Sequence, residues 1–423
     1  MLTLQYLRTN TNDVIARLPI KHFDGREIIE KIISLDTERR QTQTAADQKL
    51  SEANQLSKLI GQLYSQGKKH EGDEKKNHSL QLKDDTKAIV ERLSQLEEEI
   101  HQLLVRLPNL PHASVPEGKT PEENVVVRMG GKLPQLHPDA LPHWDLASKY
   151  DIINFETGNK VTGAGFPFYK GKGAKLQRAL ISFFLQNAID AGYTEYQPPL
   201  LVNADTGFGT GQLPDKDGQM YFVNEDGYYL IPTAEVPVTN IYRDVIVSEK
   251  ELPVKMCAYS QCFRREAGSY GKDVRGLNRL HQFDKVEIVR IEHPDNSYEV
   301  LEEMVAHVEG LLHQLELPYR ILKLCGGDMS FASALTYDFE VFCAAQKRWL
   351  EVSSVSNFET FQSNRMKLRF KDKEGKMQFP HTLNGSALAL PRIVASLLEN
   401  NQSADGIRIP EALQQYTTYE FIS

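Results

Sequence analysis

The first hundred residues of the chain carry a hydrophobic pattern in which seam positions recur at alternating spacings of four and three. No proline interrupts residues 26–66. The first seam runs through Ile28, Ile32, Leu35, Arg39, Thr42, Ala46, Lys49, Ala53, Leu56, Ile60 and Leu63. It is apolar at both ends and polar or small in its middle. This spacing predicts a long α-helix with one buried stripe.

A second seam with the same rhythm follows. It runs through Leu82, Thr86, Ile89, Leu93, Leu96, Ile100, Leu103 and Leu107, and it stops at Pro108 and Pro111. Residues 67–79 between the seams contain glycines and lysines but no large apolar residue, and they predict a polar turn. Two heptad helices joined by a turn predict an antiparallel coiled-coil hairpin over about residues 26–107, roughly 60 Å long.

Beyond Pro111 the pattern changes to a proline-rich linker and then to mixed sequence. Strand-like runs at 228–236, 254–263, 282–291 and 348–356 outnumber the helical patterns, and the first three follow one another without an intervening helix. Helical periodicity appears at 174–192, 297–317 and 391–400. Sequential strands of this kind predict an antiparallel sheet, so the fold class is α+β.

Composition narrows the class of protein. With 423 residues, 40% of them hydrophobic, the chain can bury a sizeable core in two or three domains. A net charge of -8 means that a nucleic acid would have to be met by local basic patches. No segment reaches the roughly 20 apolar residues of a membrane span. Four cysteines without a CxxC pair predict reduced thiols, a cytoplasmic protein and no zinc site.

The segment from residue 263 to 287 concentrates charge in this acidic chain. Its cations are Arg264, Arg265, Lys272, Arg275, Arg279 and Lys285. In the strand-like run that ends the segment, Phe283, Lys285 and Glu287 alternate onto one face. An aromatic ring, a cation and a carboxylate on one face could stack a base, contact a phosphate and hold an ammonium group. A solvated, self-neutralised hairpin is the alternative interpretation.

Two further segments carry chemistry that suits a nucleotide. In the run 349–354, Glu351 and Ser353 are expected to share a face, with Ser354 at the strand end, and these oxygens suit Mg²⁺. At the start of the helix at 391–400, Pro391 suits the first turn, and Arg392 beside free N–H groups favours a phosphate chain. Taken alone, the segments are better explained structurally, as charges on an edge strand, a capped strand end and a helix start with a solvated arginine. The chain has no P-loop or Rossmann spacing, so an ATP site would lie on the antiparallel sheet.

Together these segments resemble a known family. FRREAG, LHQFDKVE, EVSS and LNGSALALPR resemble the second and third signature motifs of class II aminoacyl-tRNA synthetases. IPTAEVPVTN, at 231–240, resembles the serine-binding segment of seryl-tRNA synthetases, and residues 173–201 resemble the first, dimer-forming motif. The N-terminal hairpin is similar to the tRNA-binding arm of that family. The resemblance, to the bacterial type, covers essentially the whole chain.

The resemblance implies a fold and an activity. The fold is the class II antiparallel β-sheet flanked by helices, with an N-terminal antiparallel helical arm. Residues 1–110 would form the tRNA-binding domain, and residues 111–423 the catalytic domain with the ATP, serine and dimer contacts. The implied activity joins L-serine to ATP with Mg²⁺ and passes serine to the 3′ end of tRNA(Ser), in a cytoplasmic homodimer. Whether tRNA(Sec) is also a substrate stays open.

The resemblance also implies roles for individual residues. Arg264, Glu266 and Arg392 would be catalytic. Arg264 would bridge the α-phosphate and the serine carboxylate, and Glu287 would bind the ammonium group. The implied ATP-binding residues are Arg264, Arg265, Glu266, Phe283, Glu351, Val352, Ser353, Ser354 and Arg392. The implied serine-binding residues are Thr233, Ala234, Glu235, Arg264, Glu287, Asn384 and Ser386. Glu351 and Ser354 would be the Mg²⁺ ligands, and Lys272, Arg275 and Arg279 would lie near the tRNA acceptor end.

One alternative is a catalytically inactive paralogue that acts as an RNA-binding or scaffold protein. Such a chain would be expected to have lost some of Arg264, Glu266, Glu351 and Arg392, and all four are present. The sequence departs from the family pattern at Ala387 and Pro391, where glycine is common. Because glycine permits close backbone approach, this departure bears on the backbone path beside ATP.

Overall fold

The computed structural model describes residues 1–267 and 275–423. These residues form two compact units. One consists of Met1–Pro19 with Phe23–Pro108, and the other of Ile20–His22 with Asn109–Ser423. No helix within the described ranges is both long enough and apolar enough to cross a bilayer.

The first unit is helical. Its helices are α1 (Leu4–Thr9), α2 (Thr11–Arg17), α3 (Arg26–Ser65) and α4 (Lys69–Leu104). Near the base of α3 the buried carboxylate of Asp36 accepts hydrogen bonds from Arg8, at 2.7 Å, and from Arg39, at 2.8 Å. Burial raises the pKa of Asp36, but the hydrogen bonds and charges of Arg39 and Arg8 outweigh it, and the net pKa is lowered. The carboxylate is therefore held in its charged form.

The two predicted seams are the contact surface between α3 and α4. Every position of the first seam is buried or half-buried, including the polar middle residues Arg39, Thr42 and Lys49. Leu82, Leu96 and Ile100 of the second seam are buried against it. The prediction of an antiparallel helical hairpin is confirmed, since burying a stripe of this kind needs a partner helix.

The predicted turn at 67–79 was wrong in length. The turn comprises only residues 66–68, and α4 already begins at Lys69. The polar residues that follow are good helix formers and lack proline, so a solvated helix face satisfies them as well as a loop would. Gly72 fits because the ring of Tyr64 packs directly on its Cα, where a Cβ would lie 3.1 Å from the ring. The Tyr64 hydroxyl also donates to Asp73, at 2.6 Å.

The second unit contains the remaining helices and the strands. The helices are α5 (His143–Lys149), α6 (Phe155–Val161), α7 (Gly171–Asp190), α8 (Ala204–Thr210), α9 (Glu235–Thr239), α10 (Ser297–Gln314), α11 (Phe361–Arg365), α12 (Leu390–Asn400) and α13 (Glu411–Thr417). The predicted helices at 174–192, 297–317 and 391–400 are thus confirmed as α7, α10 and α12.

The strands in chain order are β1 (Val125–Gly130), β2 (Ile153–Asn154), β3 (Phe168–Tyr169), β4 (Thr194–Tyr196), β5 (Leu201–Val202), β6 (Phe222–Val223), β7 (Tyr228–Leu230), β8 (Ile246–Ser248), β9 (Val254–Phe263), β10 (Gln282–Glu292), β11 (Tyr319–Lys323), β12 (Leu335–Cys343), β13 (Arg348–Asn357), β14 (Arg369–Lys371), β15 (Met377–Gln378), β16 (His381–Ala389), β17 (Gln402–Ser403), β18 (Gly406–Arg408) and β19 (Phe421–Ile422).

Eight of these strands form the central sheet, in the order β1-β11-β12-β13-β16-β10-β9-β4. The pairs are antiparallel except for β4 with β9. The sequence predicted β9, β10 and β13 but not β16, which lies between β10 and β13. The antiparallel class of the sheet is confirmed, and β16 is the strand that completes its centre.

Helices α7, α10 and α12 cover one face of this sheet. Leu180, Leu301 and Ile393 from these helices join Ile288 and Val355 from the strands in one large apolar cluster. The opposite face carries a smaller apolar cluster around Met256 and Val289, and it leaves polar residues of β10, β13 and β16 available for chemistry.

The run 228–236 was predicted as one strand and is not. Strand β7 ends at Leu230, and α9 begins at Glu235. Pro232 has no N–H for a ladder, and the Thr233 hydroxyl instead accepts a hydrogen bond from the Glu235 N–H, at 3.2 Å. The bend turns Thr233 and Glu235 toward β10.

Candidate active site

Three neighbouring strands bring distant segments of the chain together. Glu287 of β10 lies opposite Ser386 of β16, and β16 pairs in turn with β13. The ladder between β10 and β16 shifts register between Lys285 and Glu287, where Lys285 faces Ala389. A shift of this kind re-aims side chains at the centre of a sheet.

Glu287 is the centre of a buried polar cluster. Its carboxylate is 1% exposed and lies 2.7 Å from the Lys285 ammonium. It accepts hydrogen bonds from the Thr233 hydroxyl, at 3.1 Å, and the Ser386 hydroxyl, at 3.4 Å. Two hydroxyls and a carboxylate converge here, and such a set suits a small ligand with an ammonium group and a hydroxyl.

A second buried carboxylate, Glu235, lies close to Glu287 but has different surroundings. The Gln362 side-chain amide donates to it at 2.7 Å, and the Thr382 hydroxyl donates to the side-chain oxygen (Oε1) of the same Gln362, also at 2.7 Å. Burial, and then the negative charge of Glu287, raise the pKa of Glu235 to about 7. A buried carboxylate with a raised pKa beside a second carboxylate is typical of functional sites.

Two predicted serine-binding residues take other positions. Ala234 is fully buried in the apolar cluster of Val238 and Met256, so its methyl group packs inside the protein and only its backbone can face a ligand. Asn384 is half-buried on β16, in register with Ser356 of β13 and Val289 of β10. Among the predicted serine-binding side chains, Thr233, Glu287 and Ser386 are therefore joined by direct hydrogen bonds.

Arg264 lies between the Glu287 cluster and an aromatic surface. Its guanidinium stacks over the Phe283 ring at 5.3 Å, and its Nε donates to the Pro232 carbonyl at 3.4 Å. Arg265 is exposed, and its backbone N–H donates to the Gln219 carbonyl at 2.8 Å. Glu266 has a left-handed backbone, with φ 49°, and forms an ion pair with Arg279. Lys272 lies outside the described residues.

Glu351 and Ser354 share a face of β13, although they are an odd number of positions apart, with two residues between them. A β-bulge in the pairing with β12 sets Glu340 opposite Glu351 but Phe339 opposite Ser353, so β13 contains one extra residue. The expectation that Glu351 and Ser353 share a face was wrong for this reason. Ser353 is buried and donates to the Ser386 carbonyl at 2.6 Å, while the Val352 side chain lies in the core. Both side chains are therefore directed into the protein.

The guanidinium of Arg392 is held by backbone carbonyls. It donates to the Asn278 carbonyl at 2.9 Å and to the Glu351 carbonyl at 2.6 Å, and it lies 3.8 Å from the Glu351 carboxylate. Ala387 is buried in the core and Pro391 occupies the first turn of α12, so both fit the backbone at the positions where glycine is common in the family.

The chain matches two family models. Residues 1–111 match the seryl-tRNA synthetase N-terminal domain, and residues 221–401 match the class II tRNA synthetase core domain for G, H, P, S and T. A serine–tRNA ligase of Salinibacter ruber is 49% identical over 421 residues, covering 99% of this chain and 98% of that one. The chain belongs to the serine–tRNA ligase family.

Solved structures of the family agree with this fold. The crystal structure of seryl-tRNA synthetase from Pyrococcus horikoshii complexed with ATP is 32% identical, with a TM-score of 0.92, and covers 100% of this chain and 99% of that chain. The cytoplasmic serine–tRNA ligase of Naegleria fowleri, in complex with AMP, is 26% identical, with a TM-score of 0.85, over 97% and 96% of the two chains. The resemblance inferred from the motifs is confirmed.

The residues on the β12 and β13 face fit a magnesium ion. Glu351, Ser354 and Asp338 line one polar cavity with Arg320 and Glu340. Burial, and then the charge of Glu351, raise the pKa of Asp338. No three His, Cys, Asp or Glu side chains in the described parts of the chain are placed to hold a metal by themselves. Magnesium commonly uses only one or two carboxylates and completes its shell with phosphate and water oxygens.

Sequence reasoning missed two polar residues of the site, Gln362 and Asp338. It placed Lys285 on the active face but did not predict its ion pair with Glu287. The alternating pattern of β12 could have placed Asp338 and Glu340 on one face. Gln362 lies on the short helix α11, and no local pattern connects it with Glu235.

Proposed function

We propose that this chain joins L-serine to ATP, forming seryl-adenylate and pyrophosphate, and then transfers serine to the 3′ end of tRNA(Ser). The observation that carries the proposal is the buried Glu287 cluster, in which Thr233, Ser386 and Lys285 surround one carboxylate beside Arg264. That cluster is small and polar, and Arg264 connects it to the Phe283 ring. It lies on the sheet face of a class II core.

In the first step a serine carboxylate oxygen attacks the α-phosphorus of ATP, and the bond from that phosphorus to the bridging oxygen of pyrophosphate breaks. Glu287 binds the serine ammonium, and the hydroxyls of Thr233 and Ser386 orient the substrate hydroxyl. Arg264 neutralises the two anions that must approach each other. Catalysis of this kind depends mainly on positioning and charge stabilisation, so the mechanism needs no protein nucleophile.

The adenine and phosphate contacts follow the same face. Phe283 stacks on adenine, Arg265 and Glu266 flank the nucleotide, and Arg392 takes the distal phosphates. Glu351 and Ser354 would hold Mg²⁺, which when bound offsets phosphate charge. Val352 and Ser353 contribute backbone only, because their side chains are directed elsewhere.

Selection of serine follows from the hydroxyls that face Glu287. A site built to hydrogen-bond a hydroxyl leaves its own groups unpaired with alanine, which can cost several powers of ten in discrimination. Glu235, held by Gln362, supports the Thr233 bend through its N–H. Together these contacts define a pocket for a small hydroxylated amino acid.

The proposal extends to partners and compartment. Residues 1–110, with their long helical hairpin, bind tRNA(Ser), and residues 111–423 bind ATP and serine and form a homodimer through the segment 173–201. Arg275 and Arg279 lie on the acceptor side of the site. All four cysteines are buried and free, which is consistent with a cytoplasmic protein.

The deciding experiment is radioactive pyrophosphate exchange with each of the twenty amino acids. We expect exchange with serine alone, followed by charging of tRNA(Ser) with serine in a separate assay. Arg264→Ala should abolish exchange without unfolding the protein, as checked by circular dichroism. Exchange with another amino acid, or tRNA binding with no exchange at all, would contradict the proposal; the second result would favour an inactive RNA-binding paralogue.

A further inference from the structure

A buried histidine lies beyond the residues assigned so far, at the start of α5. His143 is 0% exposed, and its partner Glu399, near the end of α12, is also 0% exposed. They are 256 residues apart in the chain, with 2.8 Å between His143 Nδ1 and Glu399 Oε1. The pair is buried below the segment that follows residue 274.

The other ring nitrogen of His143 holds that segment. The Leu277 N–H donates to His143 Nε2 at 2.8 Å. Because a backbone N–H can only donate, Nε2 accepts, and the ring proton therefore resides on Nδ1 and is donated to Glu399. A histidine in this tautomer links a carboxylate to a backbone amide, and both of its nitrogens are used.

A second connection runs parallel to the first. Gln346 donates to Glu399 Oε1 from its side chain, at 2.8 Å, and to Oε2 from its backbone, at 3.2 Å. The same Gln346 accepts from the Asn278 side chain at 2.9 Å. Glu399 is thus connected by hydrogen bonds to Leu277 through His143, and to Asn278 through Gln346.

The two connections end on adjacent residues, and the second of these contacts the site. The Asn278 carbonyl accepts from Arg392 Nε, at 2.9 Å. The two-residue segment Leu277–Asn278 is thus held by His143 at its first N–H, and its last carbonyl is bonded to the guanidinium assigned to the distal phosphates. A displacement of this segment would carry Arg392 with it or leave its Nε unpaired.

The packing leaves little freedom at this point. Gly276 has a left-handed backbone, with φ 64°, and a Cβ on it would lie 2.3 Å from His143 Nε2. Next to it, the guanidinium of Arg275 stacks over the Trp144 ring at 4.4 Å. His143 and Trp144 therefore contact three consecutive residues, 275–277, immediately before Asn278.

We propose that His143 is a positioning residue for serine activation, and that it holds the segment Leu277–Asn278 so that Arg392 is aimed at the phosphates of ATP. The inference rests on the proposed function. A purely structural role is the alternative, because a buried polar network also contributes to stability. The two roles differ in which kinetic constants change.

The test compares two substitutions of one side chain in the full-length protein. His143→Asn keeps a donor near the Nδ1 position for Glu399 but has no acceptor that reaches Leu277. His143→Gln places an amide oxygen near the Nε2 position and can accept from Leu277. His307→Asn, which alters a half-buried histidine on α10 outside the site, is the matched control.

Serine-dependent pyrophosphate exchange is measured for each variant. The rate is divided by the concentration of active sites, which the burst of adenylate formation gives. For His143→Asn we expect kcat/KM for ATP to fall by about tenfold or more, with the KM for serine within about twofold of wild type. His143→Gln should recover most of the loss, and His307→Asn should match wild type.

Unchanged ATP kinetics in His143→Asn would overturn the inference, and so would equal changes in the serine and ATP constants, which indicate a general structural defect. Serine-dependent exchange by the wild type tests the proposed function separately. If His143→Asn does not fold, Gln346→Met decides: it cuts the connection from Glu399 to Asn278 and should show the same ATP-selective loss. Gln346→Met with wild-type ATP kinetics would then refute the proposal.

Discussion

Polar contacts serve different purposes in the helical hairpin and in the catalytic sheet. In the hairpin, Lys49 and Asp85 face each other at 3.6 Å with side chains 36% and 63% exposed. In the sheet, Lys285 and Glu287 lie 2.7 Å apart with side chains 7% and 2% exposed. Water screens the first pair, and the protein surrounds the second.

The two ion pairs differ in how much stability the protein loses when one partner is removed. Exposed ion pairs contribute little to stability, because solvent competes with them and two long side chains must be ordered. A buried pair that loses one partner leaves an uncompensated charge, which is costly. Exposed ion pairs of the hairpin can therefore be lost with little change in stability, while the site depends on each buried polar group.

The largest expected effect comes from removing the hairpin. Replacing residues 34–102 by a short Gly–Ser turn should abolish charging of tRNA(Ser), because those residues are proposed to bind tRNA. Serine-dependent pyrophosphate exchange should remain within about twofold of wild type, since the site residues all lie in the other unit. Loss of exchange together with charging would show that the two units do not act separately.

The next effect concerns the buried pair of the site. Glu287→Ala should raise the KM for serine by at least about 30-fold, because a buried charged partner is lost, while the KM for ATP changes little. Steady-state exchange at varied serine and varied ATP measures both constants. Glu292→Ala is the matched control: it breaks the buried ion pair with Arg290, at 2.9 Å on the same strand, and should leave serine binding unchanged. Equal increases for serine and ATP would remove Glu287 from the ammonium role.

The third effect is a pH dependence of stability. The pKa of Glu235 is raised from 4.5 to about 7 in the folded protein, so the folded state keeps a proton that the unfolded state loses near pH 4.5. The contribution of Glu235 to the free energy of unfolding is fully present below pH 4.5 and is lost as the pH rises through about 7. The whole loss is about 3 kcal/mol.

Glu235→Gln should remove this dependence. Urea unfolding of the catalytic unit at pH 5 and pH 8 should show that the wild type loses more stability than the variant over this interval. The exposed Glu374→Gln is the control and should behave as wild type. Parallel losses in wild type and Glu235→Gln would mean that Glu235 does not titrate in this range.

The smallest effect is expected in the hairpin. Lys49→Ala removes one partner of the exposed pair with Asp85 and should change the free energy of unfolding by less than about 1 kcal/mol. Thermal unfolding followed at 222 nm, with Lys58→Ala as an exposed control, measures the difference. If Lys49→Ala lowered the free energy of unfolding as much as the loss of a buried ion pair does, polar contacts in the hairpin and in the sheet would not differ in the way described above.

Much of the fold could be predicted from local pattern. A seam with heptad spacing predicted α3 and α4, because burying a stripe every three or four residues is possible only on a helix. Alternation predicted β9, β10 and β13. The predicted turn was too long because a polar run without proline fits a solvated helix as well as a loop.

The site could be predicted only in part. The motifs identified Arg264, Glu287 and Arg392, whose proposed roles remain to be tested. They did not identify β16 as the strand between β10 and β13, nor the bulge that turns Glu351 and Ser354 to one face. A bulge depends on the pairing with a neighbouring strand, so no single segment specifies it.

The sequence by itself determined the helices of the hairpin, the helices α7, α10 and α12, three strands of the central sheet, which residue types are available for chemistry, and to which family the chain belongs. Tertiary structure decided which of those residues meet: Thr233 with Glu287, Gln362 with Glu235, and His143 with Glu399 across 256 residues. Local periodicity reports whether a position faces the interior, because that depends on near neighbours along the chain. Contacts between distant residues depend on strand order, register and helix packing, which the whole fold fixes at once.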